Sequence, residues 1–288
     1  MSVIKKDNWF YLKRTVLYLA LTATGILVTY PFIWMICTAF KIPGTALKFQ
    51  LFPHNLSDFS TMYTRENFIK VWQGMNFSVY FLNSLFVAGT AAFFATFFAT
   101  MAGYVFAKKE FWGRQKIYYL LLSTMMIPGM MYMIPQFVII VKMGWYNTYK
   151  AMIIPHLASV FGVLLLRQFI ETIPTSLIEA AKIDGASEWQ IFRRVIIPLA
   201  FPVVATLFLM TFLFHWSNFL WQLVVSDPGL TQNIRTLPVG LALFRGPHAN
   251  EWELMMAASC FSIIPIAIMF WFAQKFFIEG MTQGAVKE

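Results

Sequence analysis

Charge is what this sequence has least of. Only 12% of its 288 residues are Asp, Glu, Lys or Arg, where soluble domains carry about a quarter. No acid falls inside any long apolar run, which argues against a carrier driven by protons or sodium. Cysteine occurs twice, as Cys37 and Cys260, both in apolar runs and without metal-ligand spacing, so both are expected to pack as small hydrophobes. No cluster of His, Asp or Cys marks a metal or catalytic centre, so no catalytic and no metal residue is assigned, and the chain is not expected to be an enzyme. No G-x-x-x-x-G-K-[ST] loop is present, so nucleotide chemistry has to come from elsewhere. There is no low-complexity tract and no clear internal repeat.

What is abundant is apolar sequence. Hydrophobic residues make up 59%, with 31 Phe, 17 Met and 10 Trp. Charge-free runs cover residues 15–40, 77–107, 117–141, 151–166, 195–226 and 254–274. A membrane-spanning helix needs about 20 predominantly apolar residues, and five of the six runs meet that length. The net charge of +9 then reads as basic flanks of membrane spans rather than as a nucleic-acid surface. The basic residues ahead of the first run are not expected to introduce a cleavable signal, because that run is too long for a signal core and lacks a small-residue cleavage site.

Run 151–166 is short and holds Pro155 and His156, so topology has to arbitrate. With six spans and an internal N-terminus, fourteen of the 22 basic residues lie on the cytoplasmic side. If that run did not cross, only ten would. The positive-inside rule favours the first arrangement. The expected fold is an all-α membrane protein with six transmembrane helices and both termini cytoplasmic. Its parts are a basic N-terminus (1–14), one six-span domain (15–277) carrying a cytoplasmic coupling segment (172–194), and a cytoplasmic tail (278–288).

Breaks and small residues add detail. Run 77–107 holds Gly89, Gly103 and many Ala and Thr, so it can pack closely on other helices. Pro128-Gly129 and Pro135 interrupt run 117–141. Five Met between Met125 and Met133 surround those breaks and read as core filler or as the wall of a path. His156 reads as a packing or pathway residue rather than a proton relay.

The polar segment between runs four and five is amphipathic and broken once. Pro174 suits a first helical turn; Leu177, Ile178, Ala180 and Ala181 share an apolar face; Glu179, Lys182 and Asp184 are polar. Gly185 can take the left-handed backbone that ends a helix, and Ser187-x-x-Gln190 is a capping box for a second one. That second helix carries Ile191 and Phe192. The segment reads as helix, glycine corner, helix, either a docking element or a helix pair lying on the bilayer. In run 195–226, Thr211, His215, Asn218 and Gln222 recur at steps of four, three and four, one face of a helix. With Trp216 nearby, they read either as interhelical hydrogen-bonding groups or as the wall of a translocation path. Asn83 and Gln136 are further pathway candidates.

Glu179-Ala180-Ala181, then Gly185, then Val195-Ile196-Ile197-Pro198 resembles the signature of binding-protein-dependent ABC importer permeases. Val195 and Ile197 depart from the usual Ile and Leu, apolar for apolar. The longer stretch from Ile173-Pro174 through Asp184-Gly185-Ala186-Ser187 and Phe192 resembles the carbohydrate-uptake branch, and most of all the smaller permease of maltose-type transporters. Asn83-Ser84, Asn147-Thr148-Tyr149, Thr236-Leu237-Pro238 and the ending 280–287 are similar to family positions. The resemblance implies a permease subunit, in a bacterial or archaeal inner membrane, that carries a sugar delivered by an extracytoplasmic solute-binding protein. It implies coupling through Leu177, Glu179, Ala180, Ala181, Asp184, Gly185, Ser187 and Ile191 to ATPase subunits. Its partners would be a second, different permease, two ATPases and membrane lipid, with no nucleic acid. No cofactor would be bound by this chain; ATP and Mg would sit on the ATPases. A permease for a non-sugar solute, or an ATP-independent secondary transporter, is the alternative.

Overall fold

A computed structural model describes residues 8–46, 62–74, 76–227, 234–244 and 251–283. The tail pattern beyond residue 283 and the head before residue 8 lie outside the described residues. Among the described residues the chain is helical, save for one isolated bridge between Lys41 and Tyr63. Among the described residues four stretches are long and apolar enough to cross a membrane: Trp9–Phe40, Phe77–Lys108, Glu188–Trp216 and Trp252–Phe272. Two bent helix pairs meet the same standard, which raises the number to six if each is one span. Helix is the outcome that such sequence requires in hydrocarbon, where every backbone polar group has to be satisfied internally.

The chain divides into two compact units. The smaller contains α1 (Asn8–Phe40), α2 (Glu66–Gln73) and the start of the last helix. Helix α1 leaves Leu19, Ile26 and Leu27 exposed, a surface suited to lipid rather than water. Its C-terminal carbonyls have a dedicated donor. The fully buried Asn67 gives its amide hydrogens to the carbonyls of Ala39 (2.8 Å) and Lys41 (2.7 Å). The buried Glu253 accepts the backbone N–H groups of Thr45 (2.8 Å) and Ala46 (2.7 Å).

The larger unit is built on α3 (Phe77–Lys108), against which α7 (Val160–Thr172) and α10 (Ile197–Trp216) pack. Small residues make this approach close, as the composition of run 77–107 leads one to expect. A Cβ on Gly103 would meet Leu166 Cβ at 2.9 Å. One on Gly162 would meet both Ala99 Cβ and Leu207 Cδ2 at 2.9 Å. Ala88, Ala91, Ala92 and Ala95 are fully buried along the same helix.

The helical breaks fall largely where proline places them. Helices α4 (Arg114–Thr124) and α5 (Gly129–Lys142) meet at 98° around Pro128. Pro135, by contrast, lies inside a continuous α5. Helix α6 (Tyr149–Ile153) runs through a tighter turn at Ile154–His156 and meets α7 at 40°. Helix α7 continues past the short apolar run, because Arg167 lays its guanidinium 4.0 Å over the Tyr118 ring and pairs with Glu171 at 3.6 Å.

Helices α8 (Thr175–Ile183) and α9 (Glu188–Ile191) follow; α9 then passes through a wider π turn at Phe192–Ile196 directly into α10. Helix α10 stops at Trp216, where Ser217 Oγ donates back to the Leu213 carbonyl (2.7 Å). The chain resumes as α11 (Leu220–Val225), then α12 (Leu237–Phe244) and α13 (Trp252–Gln283). This corrects one sequence expectation: Thr211, His215, Asn218 and Gln222 do not share a single helical face, since the helix carrying the first two ends before the others begin.

Candidate functional site

Two features of the larger unit are built for more than packing: an elbow between α8 and α9, and a cavity where the helix breaks converge.

The elbow has the caps its sequence spells. Gly185 takes φ +78°, the left-handed backbone. The Ala186 N–H reaches the Ala181 carbonyl (2.9 Å) and the Gly185 N–H the Lys182 carbonyl (3.0 Å), the paired bonds of a Schellman ending. Ser187 and Gln190 form the reciprocal capping box, with the Ser187 N–H donating to Gln190 Oε1 at 2.7 Å. Leu177, Glu179, Ala180, Asp184 and Gly185 are exposed, and Ala181 is half-buried. Ile191 differs from its expected place on the docking face. It is fully buried in a core shared with Ile178, Phe192, Leu166, Ile170 and Tyr104, so it braces the elbow from behind. The exposed apolar surface comes instead from Ile183 (87% exposed) and Trp189 (51%), beside Leu177. Sequence reading overlooked both.

A second group missed by sequence reading ties the elbow to α3. Lys109 Nζ stands 2.5 Å from Glu188 Oε2, and Tyr104 Oη donates to the same oxygen at 3.1 Å. Lys182 Nζ lies 3.8 Å from Glu188 Oε1. The hydrogen bond from Lys109 holds the Glu188 carboxyl below its ordinary range. Burial alone would lower the Lys109 ammonium, but its bonds with Glu188 and Tyr104 outweigh this and raise it. Neighbouring Lys108 donates to the carbonyls of Glu171 and Ile173, which end α7. The only sequence signal was the basic pair itself.

The cavity has a volume of about 640 Å³. Its walls are the α4–α5 break, the turn around Pro155 and the last turns of α10. Thr211 and His215 line it, together with His156. The two imidazole rings stand 5.1 Å apart. His156 Nε2 and His215 Nδ1 are buried without a hydrogen-bond partner, each a penalty of about 1–3 kcal/mol.

The remaining pathway candidates are not among the residues lining this cavity. Asn83 is a structural tie: it accepts from Tyr149 Oη (2.6 Å) and donates to the Arg235 carbonyl (2.9 Å). Trp216 is buried, stacks on Phe212 and donates to the Ser262 carbonyl (3.1 Å). Gln222 is fully buried with its amide unpartnered. Gln136 and Asn218 are half-buried.

Membrane-length helices, broken helices around a polar cavity and a capped elbow define a polytopic helical membrane protein. Residues 95–281 match the family of the binding-protein-dependent transport system inner membrane component. The chain belongs to that family, among its carbohydrate-uptake members. It is 36% identical over 225 residues to the arabinooligosaccharides transport system permease protein AraQ of Halalkalibacterium halodurans, covering 78% of this chain and 80% of that protein. It is 33% identical over 281 residues to the trehalose/maltose transport system permease protein MalG of Thermococcus litoralis, covering 96% and 98%. Its fold is similar to a chain in the crystal structure of a bacterial ABC transporter that imports the acidic polysaccharide alginate. That match has a TM-score of 0.79 at 22% identity and covers 96% of this chain and 100% of that one.

Proposed function

We propose that this chain is the transmembrane permease subunit of an ATP-driven importer that translocates a sugar or oligosaccharide across a bacterial or archaeal inner membrane. It crosses six times with both termini cytoplasmic, each bent pair counting as one span. It works with a second, different permease, two ATPase subunits and an external solute-binding protein. It binds no cofactor itself; ATP and Mg belong to the ATPases. The observation that carries the reading is the elbow. A glycine in left-handed backbone, a capping box and an exposed Leu177-Glu179-Ala180-Ile183 surface are assembled on a rigid back. Helix ends shaped this firmly, with apolar side chains left outward, suit a docking knob for a soluble partner. Glu179 then pairs with a basic residue of the ATPase.

The test is purification and uptake. The assembled complex should co-purify with ATPase subunits, and sugar uptake into vesicles should stop without ATP. Uptake that persists in a preparation free of ATPase subunits would refute the reading and favour a secondary transporter.

A further inference from the structure

We propose that the loop between α3 and α4 is a docking site for the headgroup of an anionic phospholipid, with Trp112 set into the bilayer surface and Arg114 and Lys116 as the phosphate-binding groups. The site lies outside the transport path and goes beyond the transport function proposed above.

The loop is tied so that one aromatic side chain stands outward. Helix α3 ends at Lys108 and α4 begins at Arg114. Between them the Arg114 N–H reaches the Phe111 carbonyl (3.2 Å), and Gly113 takes left-handed backbone at φ +81°, which closes a tight turn. The Arg114 guanidinium donates through Nη1 to the Lys109 carbonyl (3.0 Å) and joins the two ends of the loop. Phe111 lies against Phe106, with ring centres 5.7 Å apart. Trp112, at the tip, is 94% exposed, the highest value of any large apolar side chain among the described residues. An indole held outward by a closed turn is unfavourable in water. It suits the boundary between membrane and water, where its apolar body and polar N–H each find a matching medium.

Continuity of the apolar surface decides for lipid. Helix α3 is long and apolar enough to cross a membrane, and the connection into α4 is too short to travel far from the surface. Directly after the tip, α4 leaves Ile117, Tyr119 and Leu120 exposed, a surface suited to hydrocarbon. A soluble partner would have to cover the tip while lipid covered the residues that follow it. Charge decides the headgroup. The stretch 108–116 carries Lys108, Lys109, Arg114 and Lys116 against Glu110 alone, so the loop is net positive. Lys108 and Lys109 are engaged with the carbonyls that end α7 and with Glu188. Arg114 uses Nη1 on the loop and has further N–H donors to offer, and Lys116 is exposed. A guanidinium presents a planar fork that matches phosphate oxygens, and an ammonium adds a point charge. Basic side chains beside a bilayer are drawn to anionic headgroups.

The test uses the whole complex in lipid nanodiscs. Gln115→Cys, made with Cys37→Ala and Cys260→Ala, carries a bimane label beside the site, and the same complex without Gln115→Cys gives the background. Discs of phosphatidylcholine hold an equal share of either brominated phosphatidylglycerol or brominated phosphatidylcholine. The brominated phosphatidylglycerol is expected to quench the label about threefold more strongly. Arg114→Gln with Lys116→Gln should bring that ratio to about one, whereas Arg114→Lys with Lys116→Arg should keep a preference. High salt should lower the ratio in the parent. Trp112→Ala should weaken quenching by both lipids, because the tip no longer enters the surface. Co-purification of the other subunits reports on assembly of each variant. Equal quenching by the two lipids in the parent overturns the anionic headgroup. A preference that survives Arg114→Gln with Lys116→Gln overturns the assignment to these two residues. A preference abolished by inorganic phosphate at constant ionic strength makes the ligand a free anion and overturns the lipid. Shielding of the label from iodide that appears only with the ATPase subunits gives the loop to a soluble partner and overturns the proposal as well.

Discussion

Lys109 Nζ lies 2.5 Å from Glu188 Oε2, joining the last residue of one long membrane helix's cap to the first residue of the elbow's second helix. Tyr104 shares the same oxygen, and Lys109 also sits 5.3 Å from the Tyr104 ring centre. The pair is partly exposed, so its stability contribution is about 1 kcal/mol or less. Its effect should therefore be small in folding and larger in transport. Lys109→Met is expected to lower sugar uptake several-fold with little change in the amount of membrane-inserted protein. The exchange Lys109→Glu with Glu188→Lys should recover part of the loss; a double variant no better than either single one would speak against the contact.

The same pair predicts a pH window. Glu188 has a lowered carboxyl pKa, so its contribution is fully present above the ordinary value of 4.5 and disappears as pH falls through the lowered one. Lys109 has a raised pKa, so its contribution is present below 10.5 and disappears as pH rises through the raised one. The contact should be flat across neutral pH. Thermal unfolding of the detergent-solubilised complex should show a difference between parent and Lys109→Met that is constant from about pH 5.5 to 9.

Gly185 offers a cleaner separation of backbone from packing. Its φ is +78° and nothing lies within 4 Å of an added Cβ, so only the backbone resists substitution. Gly185→Val should strain the turn by about 1–2 kcal/mol, whereas Asn tolerates this conformation. Uptake is expected to fall at least tenfold for Val and no more than about twofold for Asn. Equal uptake by the two would show that left-handed backbone is not required there.

Gly162 is the opposite case, limited by packing alone. Gly162→Val would drive carbon into Ala99 and Leu207 between three helices, at about 1–3 kcal/mol or more. The expected outcome is a lower unfolding temperature and reduced assembly, measured by thermal scanning in detergent. An unchanged melting temperature would mean that α3, α7 and α10 do not meet as described.

In the smaller unit, Glu253→Ala removes the acceptor for Thr45 and Ala46, both bonded to one carboxylate oxygen. Two N–H groups left without it imply a loss of about 2–3 kcal/mol. Limited proteolysis near residue 46 should speed up, while Glu253→Gln, which keeps a carbonyl oxygen, should be milder.

Much of this was readable from local sequence, because the signals were local. Long uncharged runs dictated helices; Pro128 marked the sharper bend, whereas Pro135 did not break its helix; Gly185, Ser187 and Gln190 wrote the elbow's caps within six residues of one another. What could not be read depended on distant neighbours. Ile191 looks like any outward apolar residue until α3 and α7 are placed behind it. The periodicity of Thr211, His215, Asn218 and Gln222 gave no warning that α10 ends at Trp216, since neither proline nor glycine follows; a serine back-bond and a tryptophan anchor end it. Sequence leaves His156 as a packing or pathway residue, because the ring beside it, His215, is far along the chain.

The burial of Ile191 has a mechanical meaning. Close-packed interiors are nearly incompressible, and this side chain is set into the same interior as α3 and α7. The elbow is thus the outer end of a stiff lever rather than a hinged flap. A displacement applied to its exposed side is therefore expected to pass into α3 and α7 rather than be absorbed at the elbow.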